Sequence, residues 1–333
     1  MAFHLVTGGS GFVGSHLARR LVEKGERVRI FDIARSDAVP DGAEMFIGDM
    51  RDRRAVRHAC RGVDIVYHLA FIEAASKQIE SRRWNINFKG TKNFIETSLD
   101  AGVRRFVLVS TTEVYSPRLR CPYTETSPTS RPLGWYGRHK QAVEKLAQEY
   151  VETEDFPVVT LRFPTVCGPG YYARRQLFDL MDWVASGLPL VWLDGDEKHV
   201  DFVHIDDVLD SLLLAGTAPA EANGEVFNIS CSKPATAPEL VRACKLNTKK
   251  HGRVFYLPRE KSISFVKFLI NLGILELPVE TLDYMFYDNY YSSEKAMRIL
   301  GYEPKHSAED AVAELFRSYI GNREALRTKA KNY

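Results

Sequence analysis

The sequence is short of several features that would assign it a class quickly. None of its five cysteines stands in a CxxC pair and their number is odd, which excludes a disulfide framework and a zinc site of the usual spacing. They read as the reduced thiols of a cytoplasmic protein. Net charge is almost absent. Lys and Arg number 45 against 43 Asp and Glu, a formal +2, so nothing calls for a nucleic acid or a membrane as partner. The basic cluster "RDRR" at 51–54 reads as a solvated helix face. Long apolar runs are missing too: residues 262–278 are the richest late stretch, but they carry Lys267 and Glu276 and fall short of a membrane span. There is no internal repeat and no low-complexity segment. The strand-like "FHLVTGG" begins at residue 3, leaving no room for a signal peptide.

What is present is an ordinary globular composition, 45% apolar and 26% charged over 333 residues, enough for one large domain or two lobes around a cleft. Apolar runs at 4–8, 27–32, 64–70, 105–110 and 158–163 lack alternation, as strands buried on both faces do. Amphipathic stretches at 12–24, 52–60, 85–100 and 136–152 separate them. This βαβα order predicts an α/β fold, a Rossmann-type doubly wound parallel sheet, over residues 1–165. Residues 166–333 mostly form a smaller C-terminal substrate-binding lobe. It holds helices near 174–187, 206–216, 237–247 and 292–300 and short strands such as 225–230, and about 200–210 return to the first domain.

Two motifs carry chemistry. "VTGGSGFVGSHL" sets Gly8, Gly11 and Gly14 between the first strand and a helix. Glycines at this spacing allow the tight turn and the close backbone approach to a pyrophosphate seated on a helix N-terminus. Asp32 ends the second strand 18 residues after Gly14, near the spacing of a ribose-binding acid, and so favours NAD over NADP despite Arg35 nearby. Further on, "GWYGRHK" (134–140) places Tyr136 and Lys140 four apart on one helix face. A phenol titrates near pH 10, and an adjacent ammonium and a positive nicotinamide ring both lower it towards working pH.

With "GDMRD" (48–52), "YHLA" (67–70), "NFKGTKNFIE" (87–96), "LVSTTEVY" (108–115), "GPG" (168–170), "DFVHIDDV" (201–208) and "SSEKAMRILGYEP" (292–304) in order along the chain, the sequence resembles the extended short-chain dehydrogenase/reductase family in its NAD-dependent epimerase/dehydratase branch. That resemblance implies Phe12 and Val13 at the pyrophosphate turn, and Asp49 and Met50 beside the adenine. It places Leu69 and Ala70 near the cofactor ribose, Asn87 as a support from a neighbouring helix, and Ser110 among the cofactor-binding residues. Tyr136 becomes the acid/base, Lys140 the nicotinamide-ribose ligand and Thr111 the hydroxyl that bonds the substrate oxygen. It also implies a homodimer joined by helices near 88–100 and 136–152.

The expected reaction starts with hydride transfer from a secondary alcohol to NAD. Glu113 matches an acid of sugar-nucleotide dehydratases and decarboxylases, although Thr112 stands where dehydratases carry aspartate. The favoured expectation is 4-epimerisation of a nucleotide sugar, with dehydration or decarboxylation open through Glu113. Two departures oppose it. Thr165 replaces a substrate-contacting asparagine, and Val200 replaces the arginine that grips the diphosphate, which a valine cannot imitate. Lys198, His199, Arg174 and Arg175 are the nearby cations, and Cys167 reads as a packing substitution. The alternative is a 3β-hydroxysteroid dehydrogenase-like enzyme.

Overall fold

The computed structural model describes residues 1–72, 78–171, 175–193, 198–248, 252–272 and 286–332. Its first half runs β1 (Phe3–Thr7), α1 (Phe12–Glu23), β2 (Arg27–Asp32), β3 (Glu44–Ile47), α2 (Arg53–Cys60), β4 (Ile65–His68), α3 (Glu80–Trp84), α4 (Thr91–Asp100), β5 (Arg105–Thr111), α5 (Gly134–Glu154) and β6 (Val158–Phe163). Then follow β7 (Thr165–Cys167), α6 (Arg175–Ser186), β8 (Leu190–Leu193), β9 (His199–Val200), β10 (Phe202–His204), α7 (Ile205–Gly216), β11 (Val226–Asn228), β12 (Ala235–Thr236), α8 (Ala237–Lys245), β13 (Val254–Leu257) and α9 (Arg259–Asn271). Helices at Glu294–Leu300, Ala308–Gly321 and Arg323–Asn332 complete it.

Seven strands form one parallel sheet in the order β11-β6-β5-β4-β1-β2-β3. The doubly wound expectation therefore holds. Adjacent strand residues feed opposite cores, as the two-residue period of a strand requires. Val6, Ile30, Tyr67 and Val107 face α1 and α7. Leu5, Phe31, Val66 and Phe106 face α2, α4 and α5. With both faces covered, every residue of β1, β4 and β6 is buried, which is why these runs carry no alternation in sequence.

Strand order reverses between β1 and β4, so the crevice beyond their carboxyl ends is the expected ligand position. One element departs from the sequence reading. The strand within 225–230, grouped there with the C-terminal half, is β11 and joins the main sheet beside β6 through Val226↔Thr160 and Asn228↔Arg162. The chain thus returns to the sheet over a longer stretch than 200–210: α7 packs on α1 and β5. The remaining strands of this half make three two-stranded ladders, β7 with β10, β9 with β12 and β8 with β13. They pack with α6, α8 and Ala308–Gly321 around Phe178, Leu240 and Leu315. Among the described residues, no helix is long and apolar enough to cross a membrane.

Candidate active site

The glycine turn is held by contacts that admit no side chain. Gly8 has φ +70°, and a Cβ there would lie 2.8 Å from the Ala70 nitrogen. A Cβ on Gly14 would lie 2.3 Å from the Gly8 carbonyl oxygen. Helix α1 therefore starts directly against the turn. Its N-cap is Gly11, in extended conformation, and no side chain caps the first turn. The first N–H groups are thus available to an anion. Asp32 stands at the same rim, its carboxylate accepting from the backbone N–H of Ser10 (2.9 Å) and of Ile33 (2.7 Å). Burial raises its pKa. Arg35 is exposed. An open helix end, a cradle closed to any Cβ and an acid at the tip of β2 fit NAD.

Other residues predicted for the cofactor fall unevenly. Phe12 and Val13 open α1, and the Phe12 ring meets Tyr171 edge-on at 5.4 Å, tying the turn to the C-terminal half. Leu69 and Ala70 follow β4. Asp49 is occupied by Arg51, whose guanidinium lowers its pKa. The Met50 side chain is buried in the core against Phe31 and beside Gly90. Ser110 donates to Glu144, whose carboxylate also pairs with the buried Arg162 (2.6 Å). Arg162 reaches the Tyr115 hydroxyl (2.9 Å), which donates to Asn228 (2.7 Å).

Beneath the crevice a chain of hydrogen bonds sets the ends of β1 and β4. Thr91 Oγ1 donates to the Asn87 carbonyl (2.6 Å) and so accepts from His68 Nε2 (2.9 Å). His68 Nδ1 then accepts from Thr7 Oγ1 (3.0 Å), which in turn accepts the Ala70 N–H (3.1 Å). The tautomer follows from this network. Burial, with the Lys140 charge adding to it, pushes the pKa of His68 down to about 3. The imidazole is therefore neutral.

The side chains expected to react come from β5 and α5. Thr111 ends β5, and its Oγ1 accepts the Glu113 N–H at 3.2 Å, leaving its own proton to donate. The Glu113 carbonyl accepts the Leu133 N–H (2.8 Å) and faces Gly137, where a Cβ would lie 2.3 Å from it. Glycine inside "YGRHK" is thus what lets the first turn of α5 close onto the segment after β5. Tyr136 lies on that turn, partly exposed. Lys140, one turn on, is buried and donates to the Val109 carbonyl (2.7 Å), with its Nζ 5.8 Å from the centre of the Tyr136 ring. Burial lowers the Lys140 pKa to about 7, with Glu144 opposing.

Phe71, His139 and Glu80, which sequence reasoning did not single out, join Asn87, which it did, around the site. Phe71, just beyond β4, lies under the Lys140 ammonium at 3.7 Å and meets the Tyr136 ring edge-on at 5.6 Å. Asn87 sits in a π-helical turn, Asn85–Gly90, between α3 and α4. Its Oδ1 accepts the Ile72 N–H (2.8 Å), and its Nδ2 faces His139 Nδ1 (3.3 Å). His139 Nε2 reaches Glu80 (2.9 Å). The π turn interrupts what the sequence predicts as one helix over 85–100, a break often found at functional sites.

Where the sequence places the substrate side stands Val200, paired with Ala235 and packed on the apolar cluster of the C-terminal half. Next to it, Asp288 accepts the His199 N–H at 2.8 Å. Thr165 lies in β7, and Cys167 is buried in the same cluster. Arg174 and the side chain of Arg175 lie outside the described residues, as do residues 273–278 of the apolar stretch.

The model of the NAD dependent epimerase/dehydratase family matches residues 4–230. The 3-beta-hydroxysteroid dehydrogenase of Mycolicibacterium neoaurum is 30% identical, covering 95% of this chain and 90% of that protein. The decarboxylating sterol-4-alpha-carboxylate 3-dehydrogenase of Mus musculus is 27% identical over 94% of this chain and 87% of its own length. Among solved structures, the dTDP-glucose 4,6-dehydratase DesIV of Streptomyces venezuelae, crystallised with NAD, is 27% identical with a TM-score of 0.74, covering 97% of this chain and 98% of the other. The chain belongs to the NAD-dependent epimerase/dehydratase family and is an enzyme whose cofactor is NAD.

Proposed function

We propose that the protein oxidises a secondary alcohol carried on an uncharged, largely apolar ring skeleton of the 3β-hydroxysteroid type. NAD supplies the hydride acceptor. Tyr136, as phenolate, takes the hydroxyl proton, and Thr111 donates to the substrate oxygen with the proton left free by its bond from Glu113. A charged Lys140 favours the phenolate through space. The carbinol loses one hydride and one proton, leaving a ketone.

The substrate class rests on one observation. Where nucleotide-sugar enzymes of the resembled family place an arginine for the diphosphate, this chain packs Val200 into an apolar cluster with the Asp288 carboxylate beside it. A carboxylate there repels a diphosphate, and a valine offers it no donor. The names of the two sterol dehydrogenases above point the same way.

A second reading, 4-epimerisation of a nucleotide sugar with dehydration or decarboxylation through Glu113, is favoured by the position of Glu113 beside Thr111 and by the likeness to DesIV. Either reading is compatible with a homodimer joined through α4 and α5. The test is to follow NADH absorbance with NAD and either 3β-hydroxysterols or UDP- and dTDP-hexoses. NADH accumulating with a sterol supports the proposal. Interconversion of hexoses without net NADH replaces it with the second reading.

A further inference from the structure

We propose that Phe71 is a positioning residue of the reaction centre, its ring fixing the Lys140 ammonium on one face and the Tyr136 ring at its edge. The role assigned to it rests on reading Tyr136 as the base. The contacts themselves do not. The Lys140 Nζ lies 3.7 Å from the Phe71 ring centre and 5.8 Å from that of Tyr136, while Phe71 and Tyr136 meet at 89° with centres 5.6 Å apart. A cation over an aromatic face is attracted by the ring quadrupole, most strongly where water is excluded, and Lys140 is buried. Among the described residues the ammonium donates to the Val109 carbonyl, and the ring face adds a second favourable contact. Among the described residues, the charged and titratable groups facing Lys140 are Glu144 one turn further along α5, His68 from β4, and Tyr136 itself.

The ring is also held in place from the catalytic helix. Ile72, the next residue, donates its N–H to Asn87 Oδ1. That bond leaves the Asn87 amide nitrogen to donate to His139 Nδ1, so His139 carries its proton on Nε2 and gives it to Glu80. His139 precedes Lys140 and is buried between the rings of Trp84 and Trp135 (5.0 and 5.3 Å). The segment carrying Phe71 and the turn carrying Tyr136 and Lys140 are thus braced against each other through Ile72, the buried Asn87 and the buried His139, whose far side is held by the exposed Glu80.

The test uses the cofactor-free protein and a readout other than activity. The Lys140 side chain is titrated by heteronuclear NMR in the wild type, in Phe71→Leu, and with pentafluorophenylalanine at position 71, which keeps the ring's shape but reverses its quadrupole. Loss or reversal of the ring face makes the ammonium less favourable, so the midpoint moves to lower pH by about half a unit or more in both replacements, while Phe71→Tyr stays close to the wild type. An unmoved midpoint in the fluorinated protein overturns the proposal, even if Phe71→Leu fails to fold. With an active alcohol substrate, Phe71→Leu also lowers kcat about tenfold with little change in the affinity for NAD. Should no alcohol be turned over by the wild type, the proposed function fails while the titration still decides the role of Phe71.

Discussion

The crevice at β1 and β4 and the region around Val200 are built by different means. In the crevice, backbone meets backbone: the Gly8 and Gly14 positions are closed to any Cβ by neighbouring main-chain atoms, and the uncapped end of α1 offers N–H groups to an anion. Such a site tolerates almost no variation, and it imposes the same residues wherever the same ligand is held. Around Val200, by contrast, side chains on two-stranded ladders set the chemistry. On the proposed function, valine in place of arginine there changes which ligand is acceptable while the ladder that carries it is kept.

That contrast can be broken at four points. The largest effect is expected from Tyr136→Phe, which should lower kcat by at least about a hundredfold while the NAD dissociation constant, measured by nucleotide fluorescence, stays within about threefold of the wild type. Turnover near the wild-type rate would separate the motif from the chemistry.

The next tests the frame under the crevice. His68, held neutral with its pKa near 3 against an ordinary 6.5, binds a proton in the unfolded chain before it does so in the folded one. The stability it carries is fully present above about pH 6.5 and is lost as pH falls towards 3. The slope is about 1.4 kcal/mol per pH unit, or about 2 kcal/mol between pH 6.5 and 5. Melting temperatures should fall over that interval in the wild type and much less in His68→Leu.

Asp32→Asn should shrink the preference for NAD over NADP by about tenfold, since the change removes the charge that repels a 2′-phosphate. Equal preferences in variant and wild type would move the discrimination to Arg35. The smallest effect sharpens the other half. Val200→Arg combined with Asp288→Asn should make UDP binding measurable in calorimetry, about tenfold tighter than the weakest binding the wild type could show undetected. Tight UDP binding by the wild type would show that other cations already serve the diphosphate.

Legibility in the sequence follows the same division. Gly8, Gly11, Gly14, Asp32 and the Tyr136/Lys140 pair are readable because local backbone geometry dictates their types and spacing, and the buried strands are readable as unbroken apolar runs. Phe71 was hidden because its partners are 65 and 69 residues away and nothing in "HLAFI" differs from an ordinary strand end. Asn87 was found through motif resemblance, but the π turn that aims it at Ile72 leaves no mark on helical periodicity. The ring of His139 reads in sequence as one more polar residue on α5, whereas the fold buries it between two indoles. Ser110 and Met50 lie in β5 and in the turn after β3. Their side chains are nonetheless taken up by Glu144 and by the core, allegiances that depend on which distant element arrives.

The seventh strand has a bearing on how the chain is made. β6 is flanked by β5 on one side and by β11 on the other, and some sixty residues of the substrate half separate β6 from β11 along the chain. A nascent polypeptide released only as far as residue 165 would expose the hydrogen-bonding edge of a strand whose side chains are all apolar or core-bound, the kind of edge that recruits other chains. Fragments ending there should be sticky and poorly expressed, and an expression design that separates the two halves has to carry residues up to about 230 with the first.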